Sequence, residues 1–563
     1  MIAVLVGGFL ATWYLLSQNK FIYYWDYGGY WTTSYTEMHN TFNDPASAPK
    51  RLYESIIASD YNLILPAIIS LPLRVFGFTF SRYVLINYII FFCPTYFILV
   101  ALLTKLHNSN FKKRLSGKMF LITALLPLMF PALFLALLAG YIDIAALIPT
   151  SLVLLLSVDY DLTKGEKSTY RKSILISILL LVTFLFRRYF AFFVVGYIAA
   201  IGLYSLYIIF RNRKKKATFR KTLKNIAKNF CLLVGTMGAV LLIAFFGLVK
   251  RILSNDYSEQ YAGYNMPLLE KTGVLIEYYG WFLVILGLSG IVIAFFIKKK
   301  YRKFAALMCA MAMITIFGFF RVQFMGTQHI YTISLQIFAL AVIAVFCLLG
   351  STKKFLSYLV ILLLVFNSAN FLFRFEFLGT STIFSKRATI HRRDDIQDIK
   401  DMVAYIKGLQ KEQIDLGNND KVYVVASSGI INDDVIRSVN KPYETSSLDN
   451  LEAVSHLDLR DGFPVSFLDS SIIVTADPVQ LHLAKGTQEV VRYLHEELTT
   501  EGSYINKHFD LKPEKFILDE EVTVSFYVKN SDFSQEDRQK IAAYFSDYYP
   551  GKEALFADRI INQ

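Results

Sequence analysis

Apolar positions run through the first two-thirds of the chain in long blocks that keep no polar face. A helix of a soluble protein leaves one side in water, so its apolar residues recur every three or four positions. Blocks that are apolar all round, near 20 residues long, instead match the ~30 Å of hydrocarbon in a bilayer. Such blocks fall at about 2–18, 83–104, 119–139, 143–158, 173–186, 190–210, 229–250, 280–297, 304–320, 330–350 and 355–373. The expectation is eleven membrane-spanning helices. The fifth is short and ends at Arg187-Arg188. The stretch Tyr61 to Phe78 is apolar too, but Pro66, Pro72 and Gly77 make it a poor span. It reads as an amphipathic segment lying in the membrane interface.

After Phe373 the pattern changes to that of a soluble α/β domain. Lys421 to Ala426 and Ser471 to Thr475 read as buried strands, and Thr487 to Leu498 and Ser534 to Phe545 as helices. Ser534 with Glu536-Asp537 supplies an N-cap and an acidic first turn. Phe516 to Leu518 and Val522 to Val528 form a hairpin around Asp519-Glu520-Glu521. The expected architecture is a polytopic α-helical membrane region, 1–373, with a first outer loop at 19–82, followed by an extracytoplasmic α/β domain, 374–563.

Charge supports this division and orients it. Residues 1–373 carry 36 Lys+Arg against 13 Asp+Glu, and residues 374–563 carry 22 against 32, within a net charge of +13. A basic chain of this kind raises nucleic acid as a partner, but the basic residues sit in short loops between apolar blocks. Lys112-Lys113-Arg114, Lys164 to Lys172, Arg211 to Lys228, Lys298 to Lys303 and Lys353-Lys354 occupy alternate loops. Under the positive-inside rule those loops are cytoplasmic. Of the 13 acids, only Asp159, Asp161 and Glu166 lie with them. An odd number of spans then places the C-terminal domain outside the cell membrane. No nucleic-acid role follows. The four cysteines (Cys93, Cys231, Cys309, Cys347) all lie in apolar blocks and build neither a disulfide framework nor a zinc site. The apolar start lacks a basic leader and a cleavage pattern, so it reads as a retained span.

The chemistry-bearing residues cluster in the outer loops. Tyr23-Tyr24-Trp25-Asp26-Tyr27 puts a carboxylate in an aromatic flank just past the first span. On physics alone, an interfacial aromatic belt with a wet aspartate and a functional acid have about even claims. Asp60-Tyr61-Asn62 leads into Leu65-Pro66 at the far end of the same loop. This arrangement, with a soluble domain after the last span, resembles the GT-C superfamily of polytopic glycosyltransferases that use polyprenyl-phosphate-linked sugars. The resemblance covers the architecture and rests on short motifs.

That resemblance implies a transferase moving a sugar from a polyprenyl-phosphate donor to an exported cell-envelope glycan, teichoic-type polymer or lipid, with Asp26 as general base. An inverting displacement needs a carboxylate to take the acceptor proton, whereas the phosphate leaving group needs cations rather than an acid. Arg187, Arg188, Arg321 and His329 stand at outer span ends as candidates for the donor phosphate. Snorkelling to headgroups is the competing reading for the arginines, and a structural role for His329. Asp143, Asp60 and Glu277 are candidates for a second acid or for acceptor binding; helix capping competes for Asp143. Asp26 and Asp143 would hold Mg²⁺ or Mn²⁺ if a metal is used, and metal-free transfer is the alternative. A transporter or flippase of lipid-linked glycans, or a GT-C-like polymerase or ligase, remains open at this point.

Overall fold

The structure is a computed structural model that describes residues 1–18, 20–59, 61–111, 116–214, 216–351, 354–373, 375–379, 381–386, 393–439 and 447–562. The chain divides into two compact units. One comprises Met1–Gln18, Thr33–Asn255 and Pro267–Ile390; the other comprises Asn19–Thr32, Asp256–Met266 and His391–Gln563.

The first unit is helical. Among the described residues, eight helices are long and apolar enough to cross a membrane: Phe80–Asn108, Lys167–Phe186, Arg188–Asn212, Phe219–Ala244, Leu268–Ile297, Lys299–Phe320, Tyr331–Leu349 and Phe355–Phe373. The block ending at Arg187-Arg188 forms a full 20-residue helix, Lys167–Phe186, because its first turns are built from polar residues that hydropathy alone does not count. Three other expected spans are shorter apolar helices: Ile2–Ser17, Gly117–Met129 and Ile142–Ser157. The block at 119–139 is broken after Leu125, where Pro127 and Pro131 lead two short 3₁₀ turns, Leu126–Met129 and Pro131–Leu133. Proline lacks the N–H a continuous helix needs and fixes the backbone near turn geometry. The 61–78 stretch contains helix Ile64–Phe76, burying Leu65, Ile69 and Leu73 while Leu71, Val75 and Phe76 stay exposed.

Helix Tyr331–Leu349 is the centre of this unit, with most of its side chains buried. It packs beside Leu268–Val292. Gly290 lies so close to the Leu340 carbonyl that a Cβ there would overlap it, which is how small residues bring helix backbones together. Helix Leu268–Val292 is interrupted at Gly280, which has φ 70° and ψ 150°. The freed amides of Trp281 and Phe282 donate to the carbonyls of Thr382 and Ile383 at 2.9 Å each. The break is thereby filled by backbone from the chain's own later segment.

The second unit is a four-stranded sheet with helices. Strands β1 (Val422–Val425), β2 (Ile472–Asp477), β3 (Phe509–Leu518) and β4 (Val522–Lys529) lie in the order β1-β2-β4-β3. β1 and β2 are parallel, and the other pairs antiparallel. The hairpin turns at Asp519–Glu521, as the acidic triplet predicts. Helices Glu489–Thr499 and Gln535–Tyr548 match the expected positions, and Ser534 caps the latter by accepting from the Asp537 amide. Both sheet faces are buried: one core gathers Val422, Val424, Ile472, Val474, Val524 and Phe526, the other Tyr423, Ile473, Leu494 and Phe545. The first core also takes in Ile22, only 5% exposed, from the segment after the first helix. Lys20 pairs with Asp394 at 2.5 Å, and its carbonyl accepts from the Arg393 amide. These contacts make residues 19–32 part of the second unit.

Candidate functional site

In the first unit, Asp143, Arg187 and His329 come together. Asp143 sits in the 3₁₀ turn Ile142–Ala146 and is fully buried. The Arg187 Nε lies 2.7 Å from its Oδ1, and the Tyr189 hydroxyl donates to the same oxygen at 2.7 Å. The capping expectation for Asp143 therefore gives way to an ion pair: a buried carboxylate is costly unless a cation and hydrogen bonds compensate it. Oδ2 is buried with no hydrogen-bond partner among the described residues. The guanidinium of Arg187 also lies 5.0 Å from the centroid of the Tyr61 ring, a residue read from sequence only as part of a loop end. Neighbouring Asn62 donates to the Leu185 carbonyl at 2.8 Å.

The His329 ring packs between Tyr189 and Phe319, with centroids at 4.7 and 4.9 Å, and its Nδ1 accepts from the Gly326 amide at 3.1 Å. Burial, with Arg187 nearby, pushes its pKa down to about 3, so at neutral pH it is an uncharged ring. Arg188 opens the helical run after Arg187 and is half-buried; Arg321 is exposed where helix Arg302–Phe320 ends. Glu277 is half-buried three residues before the Gly280 break, and its carbonyl accepts from the Lys386 amide at 2.8 Å. Asp60 lies outside the described residues.

Asp26 belongs to the second unit, so the structure groups it by contact with the C-terminal domain. It is the first residue of helix Asp26–Asn43. Trp25 before it has φ 47°, a left-handed conformation uncommon for a bulky residue. That turn aims the chain so that the Trp25 amide donates to Asp434 Oδ2 at 3.2 Å. The indole then packs on two histidines, His482 at 4.4 Å and His456 at 5.5 Å between centroids. Residues held in such sparse conformations cluster at working sites.

The two histidines converge on Ser427, just past β1. Its Oγ lies 2.9 Å from His456 Nδ1 and 3.1 Å from His482 Nδ1. On its other side, His456 Nε2 is 3.0 Å from Asp433 Oδ1. His482 Nδ1 is 2.8 Å from the Ser427 carbonyl, which can only accept, so the ring proton belongs on Nδ1 and Nε2 is left as an acceptor. Burial pushes the His482 pKa down to about 4, which keeps this tautomer neutral. Tyr264 packs against His482 at 6.2 Å, and burial raises its pKa to about 12. A serine, a histidine and an aspartate in line suggest a nucleophilic triad, but Ser427 is fully buried and a nucleophile must reach its substrate. The network instead fixes the histidine rings under Trp25. Neither histidine carries a sequence motif that singles it out.

Among the described residues, no three His, Cys, Asp or Glu side chains gather as metal ligands. Asp26 and Asp143 fall in different units. No protein-family model matches the chain, and no curated protein matches it.

Proposed function

We propose that the protein is a membrane glycosyltransferase that moves a sugar from a polyprenyl-phosphate donor to an exported cell-envelope glycan, teichoic-type polymer or lipid, with Asp26 as the general base. The observation that carries this reading is the setting of Asp26: a half-buried carboxylate heads a helix directly after a left-handed Trp25, whose ring is fixed on His482. A base for a hydroxyl must be held in place, and its surroundings must accept a sugar; a carboxylate on the first residue of a helix, next to a Trp25 ring packed on His482, suits both needs. The reading includes a chain that spans the membrane, with its basic loops in the cytoplasm and the second unit outside.

The ion pair with Asp143 changes how the charges are assigned. Arg187 is compensated within the protein, so Asp143 acts as the residue that positions Arg187; Arg188 stays a donor-phosphate candidate, as does Arg321, which is exposed at a helix end. His329, neutral and ring-packed, contributes shape rather than charge. Metal-free transfer needs no further ligands; where Mg²⁺ or Mn²⁺ is used, Asp26 is the protein carboxylate we would assign to it.

One observation favours the transporter alternative: a helix broken at Gly280 within an apolar run is a feature of transporters of polar substrates. There, however, the unwound backbone faces a cavity and its ligand, whereas here Thr382 and Ile383 occupy the freed amides. The enzyme reading is therefore preferred. A polymerase or ligase that moves a whole oligosaccharide would use the same base.

The test is Asp26→Asn in the native host, with surface-glycan composition and protein abundance measured together. Loss of one sugar at normal abundance supports the transferase. Shortened polymer with unchanged sugar content indicates the polymerase, and lipid-linked glycan retained on the cytoplasmic side indicates the transporter. Unchanged glycan removes Asp26 as the base.

A further inference from the structure

Helix Lys216–Ala244 of the first unit is 29 residues long. At 1.5 Å per residue it measures about 44 Å, so about 14 Å of an upright helix stands beyond the ~30 Å of hydrocarbon. The sequence around its start carries one sign of charge. Nine Lys+Arg fall between Arg211 and Lys228, and from Lys167 to Asn255 there is no Asp or Glu.

The early turns of this helix have two opposite faces. Thr222, Ile226 and Asn229, at i, i+4 and i+7, are buried on one of them. Asn229 Nδ2 donates to the carbonyls of Leu162 and Lys164 at 2.9 and 3.0 Å, and Asn225 Nδ2 to that of Thr163 at 2.7 Å. Gly165 closes on Asn225 so tightly that a Cβ there would lie 2.7 Å from its Oδ1. The other face carries Arg220, Lys221, Lys224 and Lys228, all exposed, with exposed Leu223 and Ala227 among them. Among the described residues none of these four cations forms an ion pair; Lys228 Nζ instead lies 4.1 Å from the centroid of the Tyr170 ring. Helix Ala191–Asn212, which packs alongside, repeats the pattern. Its Leu206, Tyr207 and Phe210 are exposed just before exposed Arg211, Arg213 and Lys214.

We propose that this cationic platform is a docking surface for anionic phospholipid headgroups in the leaflet at its end of the helix. It rests on the membrane-spanning part of the proposed function and not on the transfer reaction. Cations immediately beyond a membrane span draw phosphate by charge, and arginine adds paired hydrogen bonds. Asn225 and Asn229 pin the helix that carries them, so binding has less backbone to order. The exposed apolar residues decide which phosphate-bearing partner fits. A nucleic acid would leave Leu206, Phe210 and Leu223 in water. At a bilayer the same side chains enter the acyl boundary while the long basic side chains reach up to the phosphates. The counter-charge that the chain itself lacks from Lys167 to Asn255 is then supplied by lipid.

The experiment uses the full-length protein in neutral detergent micelles doped with phosphatidylglycerol or phosphatidylcholine, with bound lipid read by native mass spectrometry. Wild type is compared with the neutral variant Arg220→Gln/Lys221→Gln/Lys224→Gln/Lys228→Gln and the charge-retaining variant Arg220→Lys/Lys221→Arg/Lys224→Arg/Lys228→Arg. The control Lys400→Gln/Lys407→Gln/Lys411→Gln/Lys485→Gln removes four exposed charges from the second unit. The expected result is a preference of wild type for phosphatidylglycerol of at least tenfold, lost in the neutral variant and kept in the other two. Should the neutral variant aggregate, salt decides, because high ionic strength must remove the wild-type preference. No preference in wild type, its survival in the neutral variant or at high salt, or an equal loss in the control overturns the proposal. So does tighter binding of a short single-stranded RNA through the same four residues, which would make the partner a nucleic acid. Recovery of the protein from the aqueous fraction without detergent would sink the membrane reading itself. A detergent-dependent protein with no phosphatidylglycerol preference would sink the platform alone.

Discussion

Arg187 and Asp143 form a salt bridge out of water, with Nε 2.7 Å from Oδ1 and the side chains 10% and 0% exposed. Tyr189 donates to the same carboxylate oxygen, and Tyr61 lies over the guanidinium. Three segments distant in sequence are therefore tied to one pair of charges. Removing one charge strands the other, so Asp143→Ala should destabilise the protein by about 3–5 kcal/mol. The double variant Asp143→Leu/Arg187→Leu should lose less than either single change. Thermal unfolding in detergent micelles reads both; an additive double variant would show that the two groups are not coupled.

Gly280 has φ +70°, and a Cβ there would lie 2.5 Å from the Phe384 carbonyl carbon and 2.7 Å from the Ile383 carbonyl oxygen. Gly280→Ala should therefore cost well over ~1 kcal/mol, combining a disfavoured backbone with a clash against main chain. Gly273→Ala, in the same helix but in open space, should be neutral or slightly stabilising. The two unfolding temperatures, compared in one detergent, check the contrast.

Two buried groups of the second unit oppose each other over one pH range. Burial raises the Asp458 carboxyl from 3.8 to about 6, although Val490 N, Tyr549 and Ser455 donate to it. The folded state thus holds a proton that the unfolded state has released, and its contribution falls as pH rises from about 4 to 6. His482, lowered from 6.5 to about 4, does the reverse: the unfolded state binds the extra proton, and its contribution is lost as pH falls from about 6.5 to 4. Relative to wild type, Asp458→Asn should gain stability with rising pH across this window, and His482→Gln should lose it. Urea unfolding of the full chain at pH 4.5, 5.5 and 6.5 gives the two difference curves; parallel curves would refute the assignment.

The proposed topology predicts opposite labelling of two exposed lysines. Cysteine at Lys485, in the second unit, should react with a membrane-impermeant maleimide in intact cells, and cysteine at Lys224 only after lysis. Wild type, with its native cysteines, sets the background. Labelling at Lys224 in intact cells would invert the orientation and remove the outer-face reaction.

The local features of this chain were legible because they depend on neighbours in sequence. Short continuous runs of Val, Ile and Tyr marked β1 and β2 as buried strands, the acidic triplet Asp519-Glu520-Glu521 marked the hairpin, and Ser534 marked a helix start. Eleven apolar blocks were visible for the same reason, and among the described residues eight of them form helices long enough to cross a membrane. Where a block was misjudged, the cause was also local: Pro127 and Pro131 divide one, and a polar first turn hid the length of Lys167–Phe186.

By itself, the sequence determined the apolar helices, strands β1, β2 and β4, the last residues of β3, and the unusual setting of an acid in Tyr23-Tyr24-Trp25-Asp26-Tyr27. Tertiary structure alone decided the company each residue keeps. Ile22 finds its place in a core built hundreds of residues later, carrying Asp26 into the second unit. His456 and His482 meet at Ser427 through the crossover between parallel strands, and Asp143 finds Arg187 through helix packing. Hydropathy and turn signals are properties of short segments. Which charges and rings share a site is set by long-range burial, where each group must find a partner to offset the loss of water.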